Sequence, residues 1–231
     1  MAAREPDLAY ERELLAAGGA LVAMDEVGRG AIAGPVAVGA VFLSAEAAAS
    51  DPVPVSGVRD SKLLSPSRRE ALAALIEDCG AGPLGIIGAV GFAEPGEVDT
   101  VGIVGALRLA GLRALEGLPE SDRILLDGSH DWLSAPAAPD LFSAADDDAP
   151  LPPVTMRVKA DLTCWSVAAA SILAKVRRDA VMTELALAWP GYGFERNKGY
   201  GTAEHTAGLA ELGLTPAHRA SWAIQTTRGA R

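Results

Sequence analysis

Cysteine, aromatic residues and long apolar runs are all scarce in this chain. Only Cys79 and Cys164 occur among 231 residues, with neither metal-finger spacing nor the pairs a disulfide framework needs. A reducing compartment is expected, with both thiols serving as small buried hydrophobes. No stretch approaches the twenty apolar residues of a membrane-spanning helix, so no membrane partner is expected. Residues 1–15 carry Arg4, Glu5, Asp7, Glu11, Arg12 and Glu13, so the apolar core of a secretory leader is missing and a cytoplasmic location is expected. Basic side chains are also few. The net charge of −10 argues at first against a polyanionic partner. The deficit is uneven, however: residues 1–150 hold 10 basic and 24 acidic side chains (net −14), whereas residues 151–231 hold 10 and 6 (net +4). A local basic face near the C-terminus is therefore compatible with the composition.

With 49% hydrophobic residues, the chain can bury the core of one sizeable domain. Leu21 to Met24 and the Val-rich run Pro35 to Leu43 read as strands. Ser65 and Pro66 signal a helix start ahead of Arg68 to Asp78, where Leu72, Leu75 and Ile76 recur at helical spacing. A strand over Gly85 to Phe92, a helix near Asp99 to Leu118 and a strand over Arg123 to Leu126 follow, an alternation that predicts an α/β domain. Residues 134–153 shift to Ala, Pro and Asp and read as an acidic loop insertion within the domain. A strand over Val154 to Val158 precedes a long helix from about Thr163 to Trp189, stopped by Pro190 and Gly191. Beyond it lie a glycine-punctuated loop, Gly191 to Thr202, and a last helix near Ala203 to Leu212.

Asp25 and Glu26 follow one apolar run, Asp127 ends another, and Asp161 stands between a strand and the long helix. If those strands are neighbours, four carboxylates converge and raise one another's pKa unless cations neutralise them. Oxygen donors alone suit Mg2+ or Mn2+ rather than zinc. Taken singly, each acid reads more simply as a turn former or helix cap, and Asp161 could merely cap the helix after it.

The surrounding motifs decide between these readings. DEVGRGAIAGPV (Asp25 to Val36), Asp60-Ser61-Lys62, Asp127-Gly128, Lys159-Ala160-Asp161, VAAASILAKVRRD (Val167 to Asp179), PGYGF, NKGYGT (Asn197 to Thr202), His205 and His218-Arg219 occur in this order. Together they resemble the type 2 ribonucleases H, the ribonuclease HII family, over about Leu21 to Trp222. Ala160 stands where many members have glycine, and the 134–153 segment is longer and more acidic than the pattern.

The resemblance implies a ribonuclease H-like mixed β-sheet flanked by helices, with a catalytic domain over 1–189 and a small C-terminal helical extension, 190–231, completing the substrate groove. It implies an active site of Asp25, Glu26, Asp127 and Asp161 holding two divalent ions, Mg2+ or Mn2+. Gly28, Arg29 and Gly30 match the turn whose backbone approaches a ribose 2′ hydroxyl, and Tyr200 matches the tyrosine that stacks on the following sugar. Ser61, Lys62, Ser171 and Lys175 become candidates for the substrate backbone; Lys175 could instead pair with Asp179, four residues on. Arg177 and Arg178 are weaker candidates, and His205, His218 and Trp222 are read as loop or core support. The implied substrate is an RNA/DNA hybrid or a DNA duplex with embedded ribonucleotides, cleaved by a monomer to 3′ hydroxyl and 5′ phosphate ends. Two alternatives stand beside it: a type 1-like ribonuclease H that needs several ribonucleotides, and a non-catalytic hybrid-binding protein.

Overall fold

The computed structural model describes residues 5–80, 85–134 and 150–222. Most of the acidic segment read from the sequence over 134–153 lies outside the described residues.

Five strands form one mixed sheet: β1 (Ala20–Val27), β2 (Val36–Ser44), β3 (Ile86–Ala93), β4 (Arg123–Asp127) and β5 (Val154–Arg157), in the order β3-β2-β1-β4-β5. The first three pair antiparallel as a meander, while β4 and β5 join parallel, β4 beside β1. The apolar runs account for the strands. β1 and β2 are covered on both faces, so they read as continuous hydrophobic stretches rather than as alternation.

Helices cover the two faces. Among the described residues they are α1 (Ala9–Leu14), α2 (Ala45–Ala48), α3 (Pro66–Gly80), α4 (Pro95–Glu116), α5 (Trp165–Ala188), α6 (Phe194–Asn197) and α7 (Ala203–Leu212). α5 packs on one face with α3 beside it, burying Leu21, Ala23, Val41 and Leu43 against Ala169, Ile172 and Leu173. α4 covers the other face, over Val22, Met24, Val38 and Leu126. Ala168, Ala169 and Ala170 permit a close approach: a Cβ on Gly39 of β2 would stand 2.1 Å from the Ala170 carbonyl oxygen. Any side chain there would push the helix off the sheet and weaken the dense packing of the core.

Three differences from the sequence reading have physical causes. β1 runs on through Val27, because the antiparallel ladder with β2 continues to Val27↔Ala37 and holds the polar residues in extended form. α4 begins at Pro95 instead of Asp99; Glu94 and Glu97 form a capping box, and the helical path is interrupted at Gly102 (φ +72°). The Gly191 to Thr202 loop contains the short α6, whose Phe194 joins Met182, Tyr192, Leu209 and Ala217 in a third small core at the end of α5.

Candidate active site

The site forms where β1 and β4 end side by side. The parallel register pairs Met24 with Leu126, which sets Asp25 and Asp127 one step beyond the last pair. Successive strand residues face opposite sides of a sheet. Asp25 therefore follows Leu21 and Ala23 to the α5 face, and Glu26 follows Val22 and Met24 to the other. The two acids straddle the end of β1 instead of standing together on a turn.

Asp127 closes β4, and its Oδ1 accepts the Ala160 N–H at 2.7 Å. That bond draws the segment carrying Asp161 against β4. Asp161 lies in a single 3-10 turn (Ala160–Leu162) that follows Lys159 in the left-handed region, φ +60°. It does not cap α5. The helix starts four residues later, and the Ser166 N–H in its first turn is taken by Glu11 of α1, 2.9 Å from Oε1. Capping is therefore excluded as the reason for an acid at position 161.

Electrostatics ties the four acids together. Burial, opposed by a hydrogen bond from Ser171 and reinforced by the charges of Glu26, Asp127 and Asp161, pushes the Asp25 carboxyl up to about 8. Burial also raises Glu26 against the pull of Arg29, and it raises Asp161, where Asp127 and Asp60 add repulsion. Burial opposes the Lys62 ammonium, but Asp60, Asp161, Asp25 and Asp127 together hold its pKa above the ordinary value. Lys62 Nζ stands 4.0 Å from Asp161 and is mostly exposed. One solvated lysine cannot neutralise four carboxylates.

Among the described residues no three acidic, histidine or cysteine side chains form a ready-made cage for an ion. The donor set nevertheless fits a hard divalent cation: the four acids supply only oxygen, and their mutual repulsion is the charge imbalance a cation relieves.

Comparison with known proteins identifies the family and the fold. The family described as ribonuclease HII matches residues 22–225. The chain is 42% identical to the ribonuclease HII of Streptomyces avermitilis, covering 94% of this chain and 84% of that protein. It is 46% identical to the Rhodospirillum rubrum enzyme, covering 94% and 89%. The chain belongs to the ribonuclease HII family. Membership supports ribonuclease H endonuclease activity on RNA/DNA hybrids. Solved structures agree on the ribonuclease H-like fold: ribonuclease H2 from Pyrococcus horikoshii superposes with a TM-score of 0.69 at 24% identity, covering 89% of this chain and 94% of that one. Bst-RNase HIII in complex with Mn2+ gives 0.62 at 20% identity, covering 89% and 67%.

The remaining residues that the ribonuclease HII pattern singled out divide into two groups. Ser61 and Ser171 are buried, with their hydroxyl oxygens 3.1 Å apart, and Ser171 hydrogen-bonds Asp25; both support the acids from behind. Lys175 pairs with Asp179 at 2.7 Å, the alternative that four-residue spacing offered. Both line an open groove of about 750 Å³ between α5, α3 and α6, together with Arg69 and Lys198. Arg177 pairs with Glu77 on α3. Arg178 is fully buried and bonds carbonyl groups, so it cannot serve as a surface phosphate contact.

Gly28, Arg29 and Gly30 follow β1 directly. Gly28 has φ +86°, and a Cβ there would meet Arg178 Nε at 2.1 Å, so the protein itself requires glycine. A Cβ on Gly30 would meet nothing within 4 Å, and the backbone there is not in the left-handed region. Among the described residues nothing demands glycine at 30, which leaves room for an incoming backbone. Tyr200 is 40% exposed, with its ring centroid 5.9 Å from the Arg178 guanidinium. Sequence reading passed over Glu11, Asp60 and Arg219. Asp60 and Arg219 were visible in the Asp60-Ser61-Lys62 and His218-Arg219 motifs, though without a role; Glu11 acts only through burial, which no local signal announces.

Proposed function

We propose that this member of the ribonuclease HII family is a divalent-metal-dependent endonuclease that hydrolyses the phosphodiester 5′ to a ribonucleotide, in hybrids and at single ribonucleotides embedded in duplex DNA. Its products carry 3′ hydroxyl and 5′ phosphate ends, and its role is removal of ribonucleotides misincorporated into DNA. The observation that carries this reading is the meeting of Asp25, Glu26, Asp127 and Asp161 at the joined ends of β1 and β4, with burial and mutual repulsion raising Asp25 to about 8.

Asp25, Glu26, Asp127 and Asp161 would hold two divalent ions, and the complex of Bst-RNase HIII with Mn2+ supports that class of ion. Once bound, the ions supply Lewis-acid stabilisation of the charge that develops on the reacting phosphate. The chain's own residues do the rest. Ser171 and the Ala160 N–H fix the Asp25 and Asp127 carboxylates, Lys62 sits at the exposed lip where a phosphate passes, and Glu26 is held toward the 28–30 turn by Arg29 at 3.5 Å. The 28–30 turn reads the ribose 2′ hydroxyl, Tyr200 stacks on the sugar that follows, and the segment from residue 190 onward completes the groove around a monomer.

Cleavage of duplexes carrying one, four or no ribonucleotides, with and without Mg2+ or Mn2+, tests the reading. Metal-dependent cutting at a single ribonucleotide is expected. Cutting only at four would favour type 1-like behaviour, and binding without cutting would mark a hybrid-binding protein.

A further inference from the structure

Two arginines, Arg178 and Arg219, are fully buried, yet among the described residues neither forms a salt bridge with an acid. A buried charge without a counter-ion is expensive and persists only when hydrogen bonds replace the lost water. Here backbone carbonyls replace it. Arg219 Nη2 donates to Gly28 O at 2.8 Å and to Gly34 O at 3.1 Å, and Nη1 donates to Arg29 O at 3.0 Å. Arg178 donates from Nε to Pro35 O at 2.8 Å, from Nη2 to Ala33 O at 3.2 Å, and from Nη1 to Lys198 O at 2.9 Å. Burial lowers both pKa values, Arg219 to about 10, which still leaves it charged at neutral pH.

The bonds of Arg219 have a directional consequence. In a trans peptide the C=O of one residue and the N–H of the next point in opposite directions. Drawing the Gly28 and Arg29 carbonyls inward to one guanidinium therefore turns the N–H groups of Arg29 and Gly30 outward. Neither N–H has an acceptor among the described residues, and both residues are exposed. Two adjacent outward amides beside the four acids form a donor pair held in place by a buried fork.

Arg178 links this turn to the Tyr200 loop. Its guanidinium fills the space left by the missing Cβ of Gly28 while binding the Lys198 carbonyl. The Tyr200 carbonyl is fixed from the other side by a chain of neutral histidines. The Thr215 N–H donates to His218 Nδ1 at 3.0 Å, which leaves the His218 proton on Nε2, 3.1 Å from His205 Nε2. His205 then donates from Nδ1 to Tyr200 O at 3.0 Å.

We propose that Arg219 is a positioning residue for ribose recognition: its fork aims the Arg29 and Gly30 amides at the 2′ oxygen of the ribonucleotide, and Arg178 locks that turn in register with Tyr200. This rests on the function proposed above. Lysine at 219 keeps the charge but cannot span three carbonyls.

The test uses the full chain with Asp25→Asn, which is expected to bind without cutting. Fluorescence anisotropy measures its affinity, with Mg2+, for two DNA duplexes identical except for ribose or deoxyribose at one central position. The parent should prefer ribose; a parent without preference overturns the function on which the inference rests. Adding Arg219→Lys should lower the ribose-to-deoxyribose affinity ratio by about tenfold, the size of one well-made hydrogen bond, with affinity for the all-deoxyribose duplex held within about twofold. An unchanged ratio, or equal losses on both duplexes, overturns the positioning role alone. Should Arg219→Lys fail to fold, amide hydrogen exchange in the parent decides: ribose duplex should protect the Arg29 and Gly30 amides and deoxyribose duplex should not. Equal protection by both overturns the proposal.

Discussion

Each acid of the site is held by a different local device, so substitutions there should separate. Asp25 is buried against Ser171, and Asn at that position keeps its shape while losing the charge a divalent ion needs. Asp25→Asn should lower kcat by at least about a thousandfold while the Kd for substrate changes little; near-normal turnover would remove Asp25 from the reaction. Tyr200, proposed to stack on the sugar that follows the ribonucleotide, is 40% exposed. Tyr200→Ala should reduce kcat/KM at a single embedded ribonucleotide by about tenfold more than on a long hybrid, because only the first substrate depends on the RNA to DNA step. Equal losses on the two substrates would contradict that role. Asp25 and Tyr200 stand out as candidates in the sequence because a motif and a position point to each of them together. Arg178 and Arg219 stand in motifs as well, but their role could not be read there, because full burial on backbone carbonyls runs against what is usual for that side chain.

Among elements, those with long apolar patterns were readable and those defined by tertiary contact were not. β2 and α5 carry enough Val, Ala and Leu to declare themselves, whereas α1 spans six residues and is marginal as an isolated helix. Its function is visible only against α5. Glu11 accepts from the Ser166 N–H and hydroxyl with one carboxylate oxygen, while its other oxygen is buried and has no partner among the described residues. α1 thus anchors the start of the helix that carries Ser171, just after the turn that carries Asp161. Glu11→Ala strips the acceptor from a buried helix start and should cost about 1–2 kcal/mol of stability, read as a lower midpoint in urea. Glu11→Gln keeps one acceptor oxygen, gives the other position a donor, and should lose less. If both variants melt with the parent, α1 does not secure α5.

At the scale of the whole molecule, pH acts through groups that burial holds in one protonation state. The His205 and His218 pair is neutral in the fold, with burial first and the neighbouring His205 second pushing His218 down to about 4. Above the unfolded histidine value of about 6.5 neither state binds the proton, and the pair contributes its full stability. As pH falls from there toward 4, the unfolded chain takes up a proton that the folded chain refuses, so stability is lost across that window, up to about 3 kcal/mol for His218. Carboxyl groups raised by burial, Glu11 and Asp25 among them, bias stability the other way over part of the same range, since the folded state holds their protons. The informative quantity is therefore the difference between the parent and His218→Asn, which removes one titration and leaves the acids in place. Urea unfolding at pH 7.5, 6 and 5 should give the parent the steeper loss on acidification. Because the same two rings fix the Tyr200 carbonyl, preference for a single ribonucleotide in the parent should hold at pH 5 and erode only as pH approaches 4, where the folded His218 takes up its proton. Parallel stability curves for parent and variant would mean that the pair stays accessible to protons in the fold, and the tautomer chain from Thr215 to Tyr200 would have to be abandoned.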